Sequence, residues 1–333
     1  MIVPITADDF RYAPIKPFKH GFLAEQDGHK IYYEQVGNPE GEPILFFHGG
    51  PGGGCTEKHR RLFDPAFFNA VLFDQRGCGR SKPNVYDDPK NGFKHNNPQK
   101  LLEDAERLRE HLGIEKWHVT GGSWGATLAL LYAKYYPARV KSLTISGIYL
   151  GRKSDNDWYI NNMKRFYPEA EAGFVKSFKV KGDRLTALYR TIIKGTKKQR
   201  VKTAMALGEF EGQCVALAWD KPDKKKKPTK DDIKHSMVIG SLETYYMKNH
   251  VMSENWYKDA KAKAAFKKIK DIAILNGRHD VITPPICAFE LHQAHPSSTL
   301  TINDYGAHSN SDIENMARLM NALNRLKYKT RKK

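Results

Sequence analysis

The stretch from Val119 to Tyr136, VTGGSWGATLALLYAKYY, constrains the fold more than any other part of the chain. A short apolar run (Trp117, Val119) reaches Gly121-Gly122-Ser123-Trp124-Gly125, and an Ala/Leu-rich segment begins at once. Strand, glycine-flanked serine, helix is the order needed for a strained turn that presents a nucleophile. Only small neighbours permit such a turn, because a side chain at Gly121 or Gly125 would strike the adjacent strand or helix. The serine hydroxyl then stands clear of the backbone, near free helix N–H groups that favour developing negative charge. An ordinary serine in a glycine-rich turn would spell the same five letters, so the rest of the chain has to decide.

The elements around that turn alternate. Phe22 to Val36 holds two extended runs about Asp27-Gly28, a hairpin signal. Ile44–Phe47 and Ala70–Phe73 are short continuous apolar runs that suit strands buried on both faces. Asn97-Pro98 opens a helix, with Asn as N-cap and Pro at the first helical position. Ser123–Tyr136 is the helix after the turn and Val140–Ile148 the next strand. Residues 152–266 carry helical spacing and many lysines and aromatics, with no buried strand. Strand character returns at Asp271–Leu275 and Thr299–Ile302, with helices over Pro285–His295 and Asn310–Leu326. A largely parallel sheet follows, with residues 1–150 and 267–333 forming one α/β unit and 151–266 an inserted helical cap. Residues 1–19 are expected to wrap the surface, Lys221–Lys230 to be a solvated loop and the Lys327–Lys333 tail to fray.

Composition excludes several classes. At 333 residues with 40% hydrophobic content the chain is long enough for a sizeable core. Its formal net charge of +18 attracts polyanions, but no helix-turn-helix, RNA-recognition or zinc-finger spacing accompanies it, so nucleic acid is not an expected partner. No run approaches a membrane span, and MIVPITADDF lacks the basic and apolar regions of a secretory signal. Cys55, Cys78, Cys214 and Cys287 are scattered and read as free thiols, which makes the cytoplasm the expected compartment. No H-E-x-x-H or clustered Cys/His spacing suggests a metal, and no cofactor is expected.

A serine hydroxyl is a weak nucleophile until an oriented base removes its proton. On a scaffold of this kind the acid and then the histidine follow the serine, each on a loop at the carboxyl end of a later strand. Asp280 lies just past Ile272–Leu275, in NGRHDVITP, and His308 just past Thr299–Ile302, in DYGAHS. His279, His292 and His295 are weaker candidates, and Asp304 is the alternative acid. The run His48–Gly54 is followed by no Lys-Ser/Thr, so it is not a Walker loop. It reads instead as an oxyanion loop, with the backbone N–H groups of Gly50 and Trp124 as donors.

With HGGPGGG at 48–54, DQRGCGRS at 74–81 and GGSWG at 121–125, the sequence resembles the prolyl aminopeptidases (proline iminopeptidases). These are serine peptidases of the α/β-hydrolase fold with a mostly parallel sheet, helices on both faces and a helical cap. The match is close over about residues 12–152 and 271–310 and loose across the cap. The resemblance implies release of an N-terminal residue, preferably proline, from a peptide with a free N-terminus. It also implies two cap glutamates that hold the substrate amine. The W-x-x-W-E-G-like segment reads Leu207-Gly208-Glu209-Phe210-Glu211-Gly212, which puts one carboxylate at Glu211. The E-N-H-Y-F-like segment reads Glu243-Thr244-Tyr245-Tyr246-Met247, which puts the other at Glu243. Leu207, Phe210, Thr244 and Tyr245 depart from the family pattern. A carboxylesterase or amidase indifferent to the amine, and a basic binding protein on the same scaffold, are the alternatives.

Overall fold

The computed structural model of the protein describes residues 4–218 and 227–330. Eight strands form a single sheet: β1 (Lys19–Phe22), β2 (Tyr32–Gly37), β3 (Glu42–Phe47), β4 (Phe68–Phe73), β5 (Trp117–Ser123), β6 (Val140–Ile148), β7 (Ile272–Gly277) and β8 (Thr299–Asn303). Their spatial order is β1-β2-β4-β3-β5-β6-β7-β8. β1–β2 and β2–β4 pair antiparallel, and every later pair is parallel. The hairpin signal is realised at its tip: Asp27 and Gly28 have φ of 56° and 80°, the left-handed pair that matches strand twist.

Helices cover both faces, as central parallel strands require. Before the elbow come α1 (Glu57–Arg60), α2 (Pro89–Gly92) and α3 (Pro98–His111). Asn97 caps α3 by accepting the Lys100 N–H at 3.0 Å. The helix after the elbow, α4 (Trp124–Tyr135), is buried from Trp124 to Lys134, which explains its lack of a polar face. Leu45, Phe47, Val119 and the apolar face of α3 pack with α4 on one side of the sheet. Ile44, Phe46, Leu72 and Leu275 pack on the other against α12 (Ile313–Thr330). The N-terminal segment lies on that outer helix: Tyr12 donates its hydroxyl to Asn324 Oδ1 at 2.6 Å.

Between β6 and β7 the chain forms α5 (Lys153–Asn161), α6 (Pro168–Val175), α7 (Arg184–Lys194), α8 (Lys197–Cys214), α9 (Lys230–Asn249) and α10 (Ala260–Phe266). α6 to α9 enclose their own apolar cluster, which includes Phe174, Leu188, Leu207, Phe210 and Met247. α11 (Pro285–Ala294) links β7 to β8. The Lys221–Lys230 tract falls mostly outside the described residues, and Lys230 itself opens α9. The tail differs from its expectation. Residues 327–330 continue α12, because Lys327 pairs with Asp64 at 2.6 Å and Lys329 with Asp271 at 2.7 Å.

Candidate active site

Ser123 ends β5 with φ 58° and ψ −125°, a conformation that a non-glycine residue adopts only under strain. Its flanking glycines are sterically required. A Cβ on Gly121 would lie 2.4 Å from Gly125 O, and one on Gly125 2.1 Å from Phe47 O. Trp124 is the first residue of α4, so its N–H has no acceptor within the helix. The facing loop passes close by, since a Cβ on Gly49 would stand 3.4 Å from Ser123 Cβ. Gly50 has φ 114°, and a Cβ there would meet Gly52 N at 2.6 Å and Gly53 N at 2.7 Å.

One side chain ties these two backbone segments together. Buried Gln75 donates its amide to His48 O at 2.9 Å and accepts the Trp124 indole N–H at 3.0 Å. The Gln75 N–H also donates to His48 Nε2 at 3.1 Å. The remainder of DQRGCGRS braces the same loop. Asp74 accepts the Cys55 N–H at 2.7 Å and pairs with Arg80 at 2.7 Å, while Arg76 grips Asp104 at 2.6 and 2.8 Å. Gly79 is close beneath, where a Cβ would stand 2.4 Å from Asp74 Oδ2. The motif that carried the resemblance is therefore a brace for the glycine loop. Gln75 was not singled out in the sequence, although it lies inside a quoted motif.

Asp280 and His308 meet at 2.8 Å between Oδ2 and Nδ1. Thr283 completes the seat: its N–H donates to Asp280 Oδ1 at 2.7 Å and its hydroxyl to Oδ2 at 2.8 Å. The same hydroxyl lies 3.0 Å from His308 Nδ1. With Nδ1 directed at a carboxylate, Nε2 is left as the basic nitrogen. Burial alone would lower the imidazole pKa. The Asp280 charge and hydrogen bond outweigh that, and Glu211 adds to them, so the pKa stands above its ordinary value. Gly147, at φ 55°, gives the ring its room, since a Cβ there would fall 3.0 Å from His308 Cε1. Ser123 and His308 line one cavity of about 170 Å³ with Gly49, Gly122, Ser146 and Asn310. Ser123 Oγ has no hydrogen-bond partner among the described residues; such bonds commonly close only on a bound substrate. Asp304, the alternative acid, is exposed and paired with Arg278 at 3.0 Å. His279 is exposed, and His295 is used by Tyr257 O at 2.7 Å.

The two cap glutamates come from different helices, Glu211 from the last turn of α8 and Glu243 from the middle of α9. The Tyr159 hydroxyl donates to Glu211 Oε1 at 2.5 Å, and the two carboxyls are near enough to feel each other's charge. Glu243 is buried and its Oε2 has no hydrogen-bond partner among the described residues. Burial raises the pKa of both carboxyls. The Glu211 charge raises Glu243 further, well above the usual range. Two such groups side by side resist ionising together, because each buried charge opposes the other. Tyr159 had no sequence signal. Leu207 and Phe210 lie in the cap core behind Glu211, where Phe210 stacks on Phe174 at 5.3 Å between ring centroids. Tyr245 packs on Phe93 at 4.7 Å between ring centroids, whereas Tyr246 packs tilted against Trp124 at 4.5 Å and docks α9 onto the elbow. Leu242 of the same helix explains Gly52, where a Cβ would stand 3.0 Å from its Cδ1.

Residues 42–312 match the family model of the α/β-hydrolase fold. The proline iminopeptidase of Xanthomonas citri is 36% identical over 319 residues, covering 93% of this chain and 97% of that protein. The proline iminopeptidase of Arabidopsis thaliana is 35% identical over 322 residues, covering 95% and 82%. That of Neisseria gonorrhoeae is 36% identical over 298 residues, covering 87% and 91%. Among solved structures, the proline iminopeptidase of Mycobacterium smegmatis shares the fold with a TM-score of 0.58 at 20% identity, over 93% of this chain and 98% of that one. Elbow, braced glycine loop, acid–histidine seat and end-to-end similarity lead to one conclusion: the chain belongs to the proline iminopeptidase family of α/β-hydrolase-fold enzymes.

Proposed function

We propose that the protein is a serine aminopeptidase that releases an N-terminal residue, preferably proline, from peptides through an acyl-enzyme. Residues 1–150 and 267–333 act as the catalytic unit and 151–266 as a recognition cap. Ser123 Oγ attacks the first carbonyl carbon as His308 Nε2 takes its proton. The Gly50 and Trp124 N–H groups receive the oxyanion, each worth about 3 to 4 kcal/mol of transition-state stabilisation. His308 returns the proton to the departing peptide nitrogen, and the amide C–N bond breaks. Water, deprotonated by the same imidazole, then attacks the ester carbon; the C–Oγ bond breaks as His308 returns that proton to Ser123 Oγ, and the free amino acid is released. Asp280 holds the imidazole tautomer throughout and stabilises its charged form.

The observation that carries the aminopeptidase reading is the buried carboxylate pair with an unpartnered oxygen at Glu243. Buried charge is costly unless matched, and the substrate's protonated α-amine is the match. One residue then spans from the amine at Glu211 and Glu243 to the carbonyl at Ser123. The four unpaired cysteines suit a cytoplasmic setting. Proline, alanine and leucine arylamides, each with and without N-acetylation, test the proposal. Free-amine proline arylamide is expected to be cleaved fastest, and acetylation to lower kcat/KM by roughly 30-fold or more, the equivalent of about 2 kcal/mol or more of lost charge pairing. Equal cleavage of free and acetylated forms leaves an esterase or amidase in its place.

A further inference from the structure

The cap touches the catalytic histidine loop through its backbone. α8 ends one residue before Val215, whose N–H donates to Glu211 O at 3.0 Å. Val215 O accepts two N–H groups from the opposite domain, His308 at 3.0 Å and Ser309 at 2.6 Å. Two residues on, the Leu217 N–H donates to Asp312 Oδ1 at 3.1 Å. The other oxygen of that carboxylate accepts the Ala307 N–H at 2.7 Å. The N–H groups of Ala307, His308 and Ser309 are thus all held by Asp312 or by the cap. On the core side, Asn315 holds the carbonyls of Ala307 and Ser309 at 2.8 and 3.0 Å.

We infer that Asp312, acting with Val215 and Leu217, is a positioning residue that couples capture of the substrate amine at Glu211 to the seat of the His308 imidazole. The inference rests on the aminopeptidase reading given above. The physical path is short. Glu211 and Val215 are bonded across one helical turn, and Val215 O is shared by the two residues that carry the base. Asp312 closes the other side with two charge-assisted bonds, each stronger than a neutral pair. Asp312 touches neither substrate nor reacting atoms. Its effect is on where Nε2 stands relative to Ser123 Oγ, and a misplacement of 1 Å costs about 10²-fold in rate. An amine bound at Glu211 fixes the turn that holds the loop, so a substrate lacking the amine reacts with a less firmly seated base.

The test compares wild type with Asp312→Asn, which keeps the size and loses one acceptor and the charge. kcat and KM are measured on L-proline arylamide and on p-nitrophenyl acetate, which has no amine. The expected result is a kcat loss of about 10²-fold on the arylamide with KM within a few-fold, and a loss on the acetate at least tenfold smaller. Equal losses on both substrates, or no loss on either, overturn the coupling while leaving the aminopeptidase reading intact. A wild type indifferent to acetylation of proline arylamide overturns that reading and the coupling with it. If Asp312→Asn does not fold, amide NMR on the wild type and on Glu211→Gln decides. Added L-proline is expected to shift the His308 and Ser309 amide signals in the wild type and not in Glu211→Gln; unmoved or equally moved signals overturn the coupling.

Discussion

The loops proposed for catalysis and the helices inserted between β6 and β7 build their parts of the site by opposite means. Three of the groups proposed for catalysis are seated by near neighbours in sequence: Gly121 and Gly125 around Ser123, Thr283 three positions after Asp280, Gly50 packed against Gly52 and Gly53; His308 is the exception, held by Asp280 and by Val215 O. The pair proposed to recognise the amine is assembled across the fold, from α8, α9 and Tyr159 of α5, and has its surroundings chosen by helix packing. The catalytic side is fully hydrogen-bonded at Asp280, whereas the cap side leaves Glu243 Oε2 without a partner. A fully satisfied carboxylate holds something already present. An unsatisfied buried one is set for a cation that arrives.

That contrast fails most visibly if Ser123→Ala retains turnover. The expected loss is on the order of 10⁶-fold in kcat with the fold intact, read by arylamide release and circular dichroism. Next is Asp280→Asn, expected to lower kcat by about 10⁴-fold through loss of tautomer control. It also has a pH signature. The proposed base, His308, acts when neutral, so kcat/KM is expected to rise with pH through its pKa, which Asp280 holds above the ordinary value. Without that charge burial dominates, and the acidic limb of the profile moves to lower pH. Gln75→Ala tests the link between the two segments proposed to receive the oxyanion and should reduce kcat on the order of tenfold to 10²-fold with little change in KM.

The smallest effect concerns stability, and it sharpens the cap side. Glu243 has a folded-state pKa raised by burial, so above its unfolded pKa the native state binds more protons than the unfolded chain. Stability contributed by the protonated group is therefore present at low pH and lost as pH rises toward the folded value. Glu243→Gln carries no charge to bury. Its melting temperature is expected to exceed that of the wild type by a few degrees at pH 8 and by less at pH 5. A variant less stable than wild type at both pH values contradicts the seat described for Glu243.

The same contrast explains what the sequence disclosed. Strands β3 to β5 announced themselves as apolar runs and β6 to β8 as extended segments alternating with helices, while Ser123, Asp280 and His308 stood out as loop residues at strand ends, because backbone geometry there is dictated by adjacent residues. The hairpin turn and the α3 cap were legible for the same reason. Tyr159 and the Asp312–Leu217 bond were not, since each depends on how remote helices pack. Glu211 and Glu243 became visible only through a family resemblance. Their residue type on a helix says nothing of burial, and it is burial that gives them their chemistry. The extension of α12 past Leu326 was missed because its last turn is held by Asp64 and Asp271, acids that come from the far side of the chain.

The central claim is that the buried pair makes a general serine hydrolase scaffold read a free N-terminus. It is tested most directly by the ratio of kcat/KM for L-proline arylamide to that for its N-acetyl form, in the wild type and in Glu211→Gln/Glu243→Gln. The account predicts a ratio of roughly 30 or more in the wild type that collapses toward unity in the double variant, chiefly through loss of the free-amine rate. A ratio that survives removal of both carboxylates would contradict it.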